Sequence, residues 1–471
     1  MLFTNEPTAR ARAAVADVKQ SVYWLDRKDR PAATPPLVGP HETDLLVIGG
    51  GFTGLWTALL AKQESPEKSV LLVDGGRVGD GASGRNGGFV SDSLTHGFAN
   101  GHDRWPHQLP ELLAFGRSNL DDIERTVIEL GIDCDFVRAG EISAAVSEHQ
   151  FAGMSDAVAV MTSFGEDVEL LDAQTIRTHV NSPEFVGGIV NKHGTALVDP
   201  ARLAWGLRAA CIAAGVRVYE RSAVTQLEEV GNRVVAHTKR GAITARQVVL
   251  ATNAYPSLLK RVGHYVVPVY DYVLMTQSLT AEQRSSIGWG GGEGLSDGGN
   301  QFHYFRPTAD GRILWGGYDA IYHHGNGFGP QYDNDATAYV RLAEHFLQTF
   351  PQLEGIRFSH AWGGAIDTCT RFSAFWGAAH SGKTVYVAGF TGLGVGASRF
   401  AALTMLDLLM HRDTPRTRLD MVKTKPIPFP PEPLRSLGIA VTTRSLQRAD
   451  RTGTRNLWLK TLDRCGLGFD S

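Results

Sequence analysis

Three glycines at the end of an apolar run carry the clearest chemical implication in this chain. Asp44-Leu-Leu-Val-Ile48 leads into Gly49-Gly50-Gly51-Phe52-Thr53-Gly54, and a helical pattern follows from Leu55. In a strand, Gly-x-Gly-x-x-Gly, helix arrangement, Gly49 permits the tight turn and Gly51 lets the backbone approach a pyrophosphate. Gly54 lets the helix pack closely on the strand, with its N-terminus turned to the anion. A second apolar segment, Ser69-Val-Leu-Leu-Val73, ends in Asp74, about 20 residues beyond the glycines, where a carboxylate would accept a ribose hydroxyl. Both halves of a dinucleotide site are therefore present, although the pattern does not separate NAD from FAD.

Further glycine-bearing segments go beyond what a nicotinamide site needs and fit a larger ligand. One is Gly79-Asp-Gly-Ala82-Ser83-Gly84-Arg85-Asn86-Gly87-Gly88, too rich in glycine for an ordinary helix or strand. The other is Gly389-Phe390-Thr391-Gly392-Leu393-Gly394-Val395-Gly396, which follows the buried-strand pattern Thr384–Ala388 and precedes a helix expected from Ala397 to about Met410. The strand, glycine loop and helix module thus occurs twice. Cys134, Cys211, Cys369 and Cys465 form no Cys-x-x-Cys pair, so neither a zinc cluster nor a disulfide scaffold is expected. No metal is expected.

The elements that must position these loops can be read from periodicity. Pro31, Pro35, Pro36 and Pro40 mark an extended leader over residues 1–43, pinned by Tyr23 and Trp24. Leu120, Ile123, Val127 and Leu130 lie at helical spacing, and Asp199-Pro200 starts another helix with Asp199 as N-cap. Short strands follow near Val216, Arg233 and Gln247. From about Tyr265 to Ala361 the chain turns to aromatic, β-favouring segments broken by glycine, which predict a separate antiparallel sheet. Pro426 to Pro433 reads as a stiff linker before a helical tail.

The fold class expected is α/β (α+β). A Rossmann-like cofactor domain would be assembled from 44–100, 190–262 and 363–425, and an antiparallel-sheet substrate domain from 101–189 and 263–362. The linker and tail occupy 426–471. With 46 Lys and Arg against 49 Asp and Glu, the net charge is −3, which gives no bulk electrostatic case for nucleic acid. No apolar run reaches the ~18 residues of a membrane span, so no membrane insertion and a cytoplasmic location are expected.

Taken together, these segments resemble the D-amino-acid-oxidase-like (DAO) family of FAD-dependent amine and amino-acid oxidoreductases. Gly81-Ala-Ser-Gly-Arg-Asn-Gly-Gly88 is similar to the γ-glutamylputrescine oxidase-like enzymes within it. The resemblance implies that Gly49, Gly51, Phe52, Thr53 and Gly54 hold the pyrophosphate of FAD, and that Asp74, with Gly75 and Arg77 after it, meets the adenosine ribose. It further implies that Ala82, Ser83, Arg85, Asn86, Gly87 and Gly88 run past the isoalloxazine, that Val224 makes a backbone contact to adenine, and that Thr252 and Asn253 form a turn near the cofactor. Gly389, Phe390, Gly392, Leu393, Gly394 and Val395 would close the site and place a helix N-terminus near flavin N1 and O2, where reduced flavin carries negative charge. Arg85 would either add a cation near the flavin or clamp backbone carbonyls. Some relatives attach flavin through a cysteine; Cys369 lies in that neighbourhood but out of register, so a non-covalent flavin is expected.

The resemblance implies oxidation of the C–N bond of a small primary or secondary amine of the polyamine, amino-acid or aminophosphonate type. A hydride would pass to flavin N5, and the resulting imine would be hydrolysed, with molecular oxygen as one acceptor. An amine must react neutral, because a protonated nitrogen has no lone pair to stabilise the developing iminium, and this favours a dry aromatic pocket. The second sheet offers Tyr270, Tyr272, Phe302, Tyr304, Trp315, Tyr318, His360 and Trp362, of which Tyr272, Tyr304 and Trp362 are the expected walls. Arg306 is a candidate for binding a carboxylate or phosphonate, or for a surface ion pair. His303, His323, His324 and His360 offer no assignable base. The alternatives are 2-hydroxy acid oxidation and a non-catalytic flavoprotein subunit of an electron-transfer complex.

Overall fold

The computed structural model describes residue 3 and residues 7–467. Its first layer is built on parallel strands ordered Thr384–Ala388, Gly241–Leu250, Gly39–Ile48, Val70–Val73 and Arg217–Tyr219. Leu45 to Ile48 and Val70 to Val73 are all buried, as expected of strands covered on both faces. The helices Phe52–Glu64, Leu109–Glu129, Pro200–Ala213 and Gly394–Leu409 pack on one face around Trp56, Leu72, Leu207 and Met405. An antiparallel hairpin, Val224–Val230 with Arg233–Thr238, joins the N-terminal half of Gly241–Leu250.

The second layer is a large mixed sheet ordered Lys19–Gln20, Phe358–Thr368, Val267–Thr276, Ile313–Gly317, His303–Pro307, Gly294–Asp297, Glu141–Ala145, Gly187–Asn191 and Val168–Asp172. Most of its pairs are antiparallel, but Gly294–Asp297 with Glu141–Ala145 and Lys19–Gln20 with Phe358–Thr368 are parallel. Tyr270, Tyr272 and Trp315 face the helix Ala336–Thr349 and pack around Phe346 and Phe350. That helix stands within a stretch whose aromatic composition predicted strands. Its Asp335 cap and the spacing of Tyr339, Leu342 and Phe346 specify it locally.

Elsewhere the differences are ones of extent. The helix expected from Ala397 begins at Gly394. The leader is not wholly extended: it contains the helix Ala9–Ala14 and a two-residue strand in the large sheet. Trp24 is buried in it, and the Tyr23 hydroxyl donates to Asp310 at 2.7 Å. The residue positions expected to divide the two domains, 189/190 and 362/363, fall inside the strands Gly187–Asn191 and Phe358–Thr368. No helix among the described residues is long and apolar enough to cross a membrane.

Candidate active site

A cavity of about 1880 Å³ opens between the two layers, roughly twice the ~1,000 Å³ upper bound of an ordinary small-molecule site. At one end the strand Gly39–Ile48 delivers the glycine turn. Gly49 lies at φ +111°, and a Cβ there would stand 2.3 Å from the Ala251 carbonyl oxygen; one on Gly54 would stand 1.9 Å from the Gly49 carbonyl oxygen. Gly51 precedes the helix Phe52–Glu64 and has no side chain to cap it. Ser83 Oγ accepts from Phe52 N at 2.9 Å, and Thr53 lines the cavity beside it. Asp74 takes Gly50 N and Gly76 N, each at 2.7 Å, and burial raises its pKa.

The Ser83–Gly88 loop is held from outside through its carbonyls. Trp24 of the leader donates to Asn86 O at 3.0 Å, and Trp362 of the sheet donates to Arg85 O at 2.8 Å. Arg306, fully buried, reaches Gly88 O at 3.3 Å and Val198 O at 2.7 Å. Gly88 sits at φ +78°, and a Cβ on it would come within 2.1 Å of Val198 O. Arg85 is itself a clamp: its Nε donates to Asp80 O at 2.8 Å, and its Nη1 pairs with Asp333 at 2.7 Å and touches Gly363 O at 3.2 Å.

On the opposite side, Gly389 to Leu393 leads into the helix Gly394–Leu409, whose N-cap Leu393 also has no capping side chain. Asp199, Thr280 and Asp335 cap three other helices with their side chains. The N-termini of Phe52–Glu64 and Gly394–Leu409, neither capped by a side chain, both line the one cavity, and their N–H groups need an external acceptor. Asp367 organises this loop. It accepts from Gly389 N at 2.6 Å and from Phe390 N and Asn253, and burial pushes its pKa up to about 7. No spacing rule singles it out in sequence. Cys369 lies beside it with its thiol on Ser373 O at 3.2 Å and Gly389 O at 3.5 Å, and burial raises its pKa.

Of the residues expected at the cofactor, Gly49, Gly51, Phe52, Thr53, Asp74, Gly75, Ala82, Ser83, Arg85, Asn86 and Gly87 line the cavity. So do Val224, Thr252, Asn253, Phe390, Gly392, Leu393, Gly394 and Val395. Gly54, Gly88 and Gly389 stand behind the lining, and Arg77 turns away to Pro31 O in the leader.

The aromatic walls need correction. Tyr272 faces the helix side of the sheet, 1 % exposed, with its hydroxyl on Tyr332 O at 2.9 Å. Trp362 supports the Ser83–Gly88 loop and does not reach the cavity. Alternation decides this: on Val267–Thr276 the even-numbered residues Tyr270, Tyr272 and Leu274 enter the core, so Val269, Asp271 and Val273 face the cavity. Arg306 is neither an anion site nor a surface ion pair, because its guanidinium is spent on carbonyls; burial lowers its pKa to about 10. Tyr304 does line the cavity, and its hydroxyl donates to Asp271 Oδ2 at 2.6 Å.

Two groups of lining residues went unpredicted. Asp92, Glu141 and Glu166 bring carboxylates to the far wall. Glu166 pairs with Arg117 at 2.6 Å, whereas Glu141 is held by the hydroxyls of Thr195 at 3.0 Å and Ser296 at 3.3 Å. Burial first, then Glu166, pushes Asp92 up to about 7. The second group is the tail: the helices Leu434–Thr452 and Leu457–Arg464 roof the outer chamber with Leu437, Val441, Leu446 and Trp458. Asp450 ties this roof to the sheet by accepting from Asn300 N at 2.8 Å, from Asn300 Nδ2, and from Gln301 N at 3.1 Å.

Comparison with known proteins agrees with this donor set. Residues 44–408 match the family model for the DAO, FAD dependent oxidoreductases. The chain is 31 % identical over 398 residues to a γ-glutamylputrescine oxidoreductase of Escherichia coli, covering 83 % of this chain and 88 % of that one. It is 28 % identical over 406 residues to a probable oxidoreductase, OrdL, of Haemophilus influenzae, covering 83 % and 88 %. The crystal structure of a glycine oxidase from Geobacillus kaustophilus superposes with a TM-score of 0.69 at 21 % identity, covering 82 % of this chain and all of that one. With the glycine cradle, the two open helix N-termini and the match over most of its length, the chain belongs to the DAO family of FAD-dependent oxidoreductases.

Proposed function

We propose that this enzyme oxidises the C–N bond of an amine that carries a second positive charge, of the diamine or polyamine type, rather than an α-amino acid. The observation that supports this reading is the charge of the lining. Asp92 and Glu141 face the cavity without an ion-pair partner among the described residues, and a buried carboxylate gains most from a cation brought to it. The guanidiniums that line the cavity are already engaged: Arg85 by Asp333, Arg435 by Asn326 and Pro430 O, and Arg455 by Asp463. None is left to grip a substrate carboxylate. The name of the E. coli relative, which acts on γ-glutamylputrescine, points to the same amine class.

In this reading Asp74 and Val224 would hold the adenosine end of FAD, and the Gly51–Gly54 turn would hold its pyrophosphate. The Ser83–Gly88 loop and Gly392–Val395 would hold the flavin. When bound, FAD supplies the two-electron acceptor for a C–H bond beside the amine nitrogen. The chain binds the distal ammonium at Asp92 and Glu141, fixes the flavin loop through Trp24, Trp362 and Arg306, and excludes water with the tail helices. We also propose that the flavin is not covalently attached. Cys369 is a thiol that burial makes harder to ionise, the opposite of an activated nucleophile, so acid precipitation should release all of the flavin into the supernatant.

Anaerobic addition of amines to the yellow holoenzyme tests the reading. Diamines and polyamines should bleach the flavin band, and α-amino acids should not. Glu141→Gln should raise KM for a diamine about tenfold, the equivalent of roughly 1.4 kcal/mol for a lost charge contact, with little change in kcat. Faster bleaching by α-amino acids than by any diamine would overturn the proposal.

A further inference from the structure

The reactive amine meets the enzyme as an ammonium at neutral pH and must lose a proton before its nitrogen can support an iminium. Of the histidines that line the cavity, His96 is drawn down to about 4 by burial, too weak a base to hold the proton, and His102 pairs with Asp103 at 3.3 Å. His303 is enclosed behind the sheet between Asp297 at 2.5 Å and His345 at 2.9 Å, and His360 pairs with Asp26 of the leader at 3.2 Å. Asp271 and Tyr304 are differently situated, since both line the cavity.

Tyr304 and Asp271 come from strands separated by Ile313–Gly317. The phenol ring crosses that intervening strand at Gly316, where a Cβ would lie 2.7 Å from Tyr304 Cζ. Its other side abuts Gly87 of the loop assigned to the flavin, where a Cβ would lie 2.8 Å from Tyr304 Cε2. Two glycines therefore leave a slot for one ring, and the slot aims the hydroxyl at Asp271 Oδ2, 2.6 Å away. The other oxygen, Asp271 Oδ1, accepts from Tyr272 N at 2.7 Å and Gly317 N at 3.1 Å. A phenol that donates its proton keeps lone pairs free to accept an N–H, and Tyr304 itself lines the cavity.

We propose that Asp271, acting through Tyr304, is the proton acceptor for the substrate's ammonium. The inference rests on the amine-oxidising reading above. An N–H bond of the ammonium breaks as its proton passes to Tyr304 Oη, while the phenolic O–H proton passes to Asp271 Oδ2. Tyr304 ends unchanged, Asp271 ends as a carboxylic acid, and the amine ends neutral with its lone pair restored. No electrons are exchanged in this step. Burial, the leading cause, pushes Asp271 up to about 6, which makes it a better proton acceptor than an exposed carboxylate and leaves it ionised at pH 7. The charged groups around the pair are themselves balanced. Asp319 faces Arg341 on Ala336–Thr349, Arg85 faces Asp333, and His303 faces Asp297; of these, Asp319 adds to the upward push on Asp271.

The test combines binding and reduction across pH on the holoenzyme. A diamine analogue with no hydrogen on the carbons beside nitrogen cannot be oxidised, so its binding is followed by the shift it causes in the flavin spectrum. In the wild type its affinity should fall more steeply below about 6 than the titration of Asp92 alone provides, and Asp271→Asn should remove that extra steepness whereas Asp92→Asn should leave it. With an oxidisable diamine, Asp271→Asn and Tyr304→Phe should each slow anaerobic flavin reduction about 100-fold at pH 7, within the range of general acid–base catalysis. Both should recover towards the wild-type rate near pH 10, where solvent supplies the free amine. Such recovery is not expected of a purely structural lesion. Oxidation of diamines with identical pH profiles in the wild type and Asp271→Asn would overturn the proton role alone. Failure of every amine either to bind or to bleach the flavin would overturn the amine reading and this inference with it.

Discussion

At the scale of single residues, the site depends on atoms that are missing as much as on those present. At Gly51 the proposed placement of FAD would make the missing Cβ matter to the ligand rather than to the fold. The nearest obstacle to a side chain there is Ser83 Oγ at 2.8 Å, a short rotatable group. Gly51→Ala is therefore expected to fold, with an unchanged far-ultraviolet dichroism spectrum, but to purify with little flavin because the pyrophosphate loses its approach to the backbone. Gly88→Ala differs: with φ +78° and Val198 O at 2.1 Å, it should cost at least about 2 kcal/mol of stability, measured by urea unfolding. The charge on Asp92 is a third residue-scale quantity. An ammonium stabilises the ionised form, so affinity for a diamine should rise with pH through about 7. Asp92→Asn should flatten that rise, which titration of the bleached fraction would reveal. The sequence made the glycines legible because their function is local. It left Asp271 unmarked between Tyr270 and Tyr272, although a polar residue between two aromatics on an alternating strand is the one signal that could have identified the cavity face.

At the scale of elements, the uncapped N-termini of Phe52–Glu64 and Gly394–Leu409 line the end of the cavity proposed for the cofactor, and the tail helices line the same cavity. The tail lies beyond the residues matched by the family model, which stop at 408, yet it lines the same cavity. Its attachment through Asp450 is concentrated in three hydrogen bonds. Asp450→Ala should release the roof by about 2 kcal/mol, which corresponds to roughly a 30-fold rise in hydrogen exchange over 434–464, while flavin content stays constant. An unchanged exchange rate would show that the apolar contacts of Leu459 and its neighbours hold the roof unaided. Composition described residues 426–433 as a linker, but it could not say that the helices after them fold back over the substrate chamber.

At the scale of the whole molecule, FAD in the proposed placement would bridge segments far apart in the chain, from Gly49 to Val395, so its binding should stabilise the fold as a unit. At free FAD 100-fold above Kd the stabilisation should be about 2.7 kcal/mol, read as a rise in melting temperature on adding FAD to the apoprotein and absent in Gly51→Ala. The leader takes part in the same unit: Trp24 reaches Asn86 and Lys19–Gln20 joins the large sheet. What the sequence by itself determined was the parallel layer, the glycine turns and the flavin class, because each is encoded over a few neighbouring residues as apolar runs, obligatory glycines and a spaced acid. Which face of each strand of the second sheet meets the cavity, that Arg306 and Trp362 hold a loop instead of a substrate, and that Asp271 meets Tyr304 were decided only by the tertiary structure. Those outcomes depend on the register of strands from distant parts of the chain, and a shift of one residue would exchange the two faces.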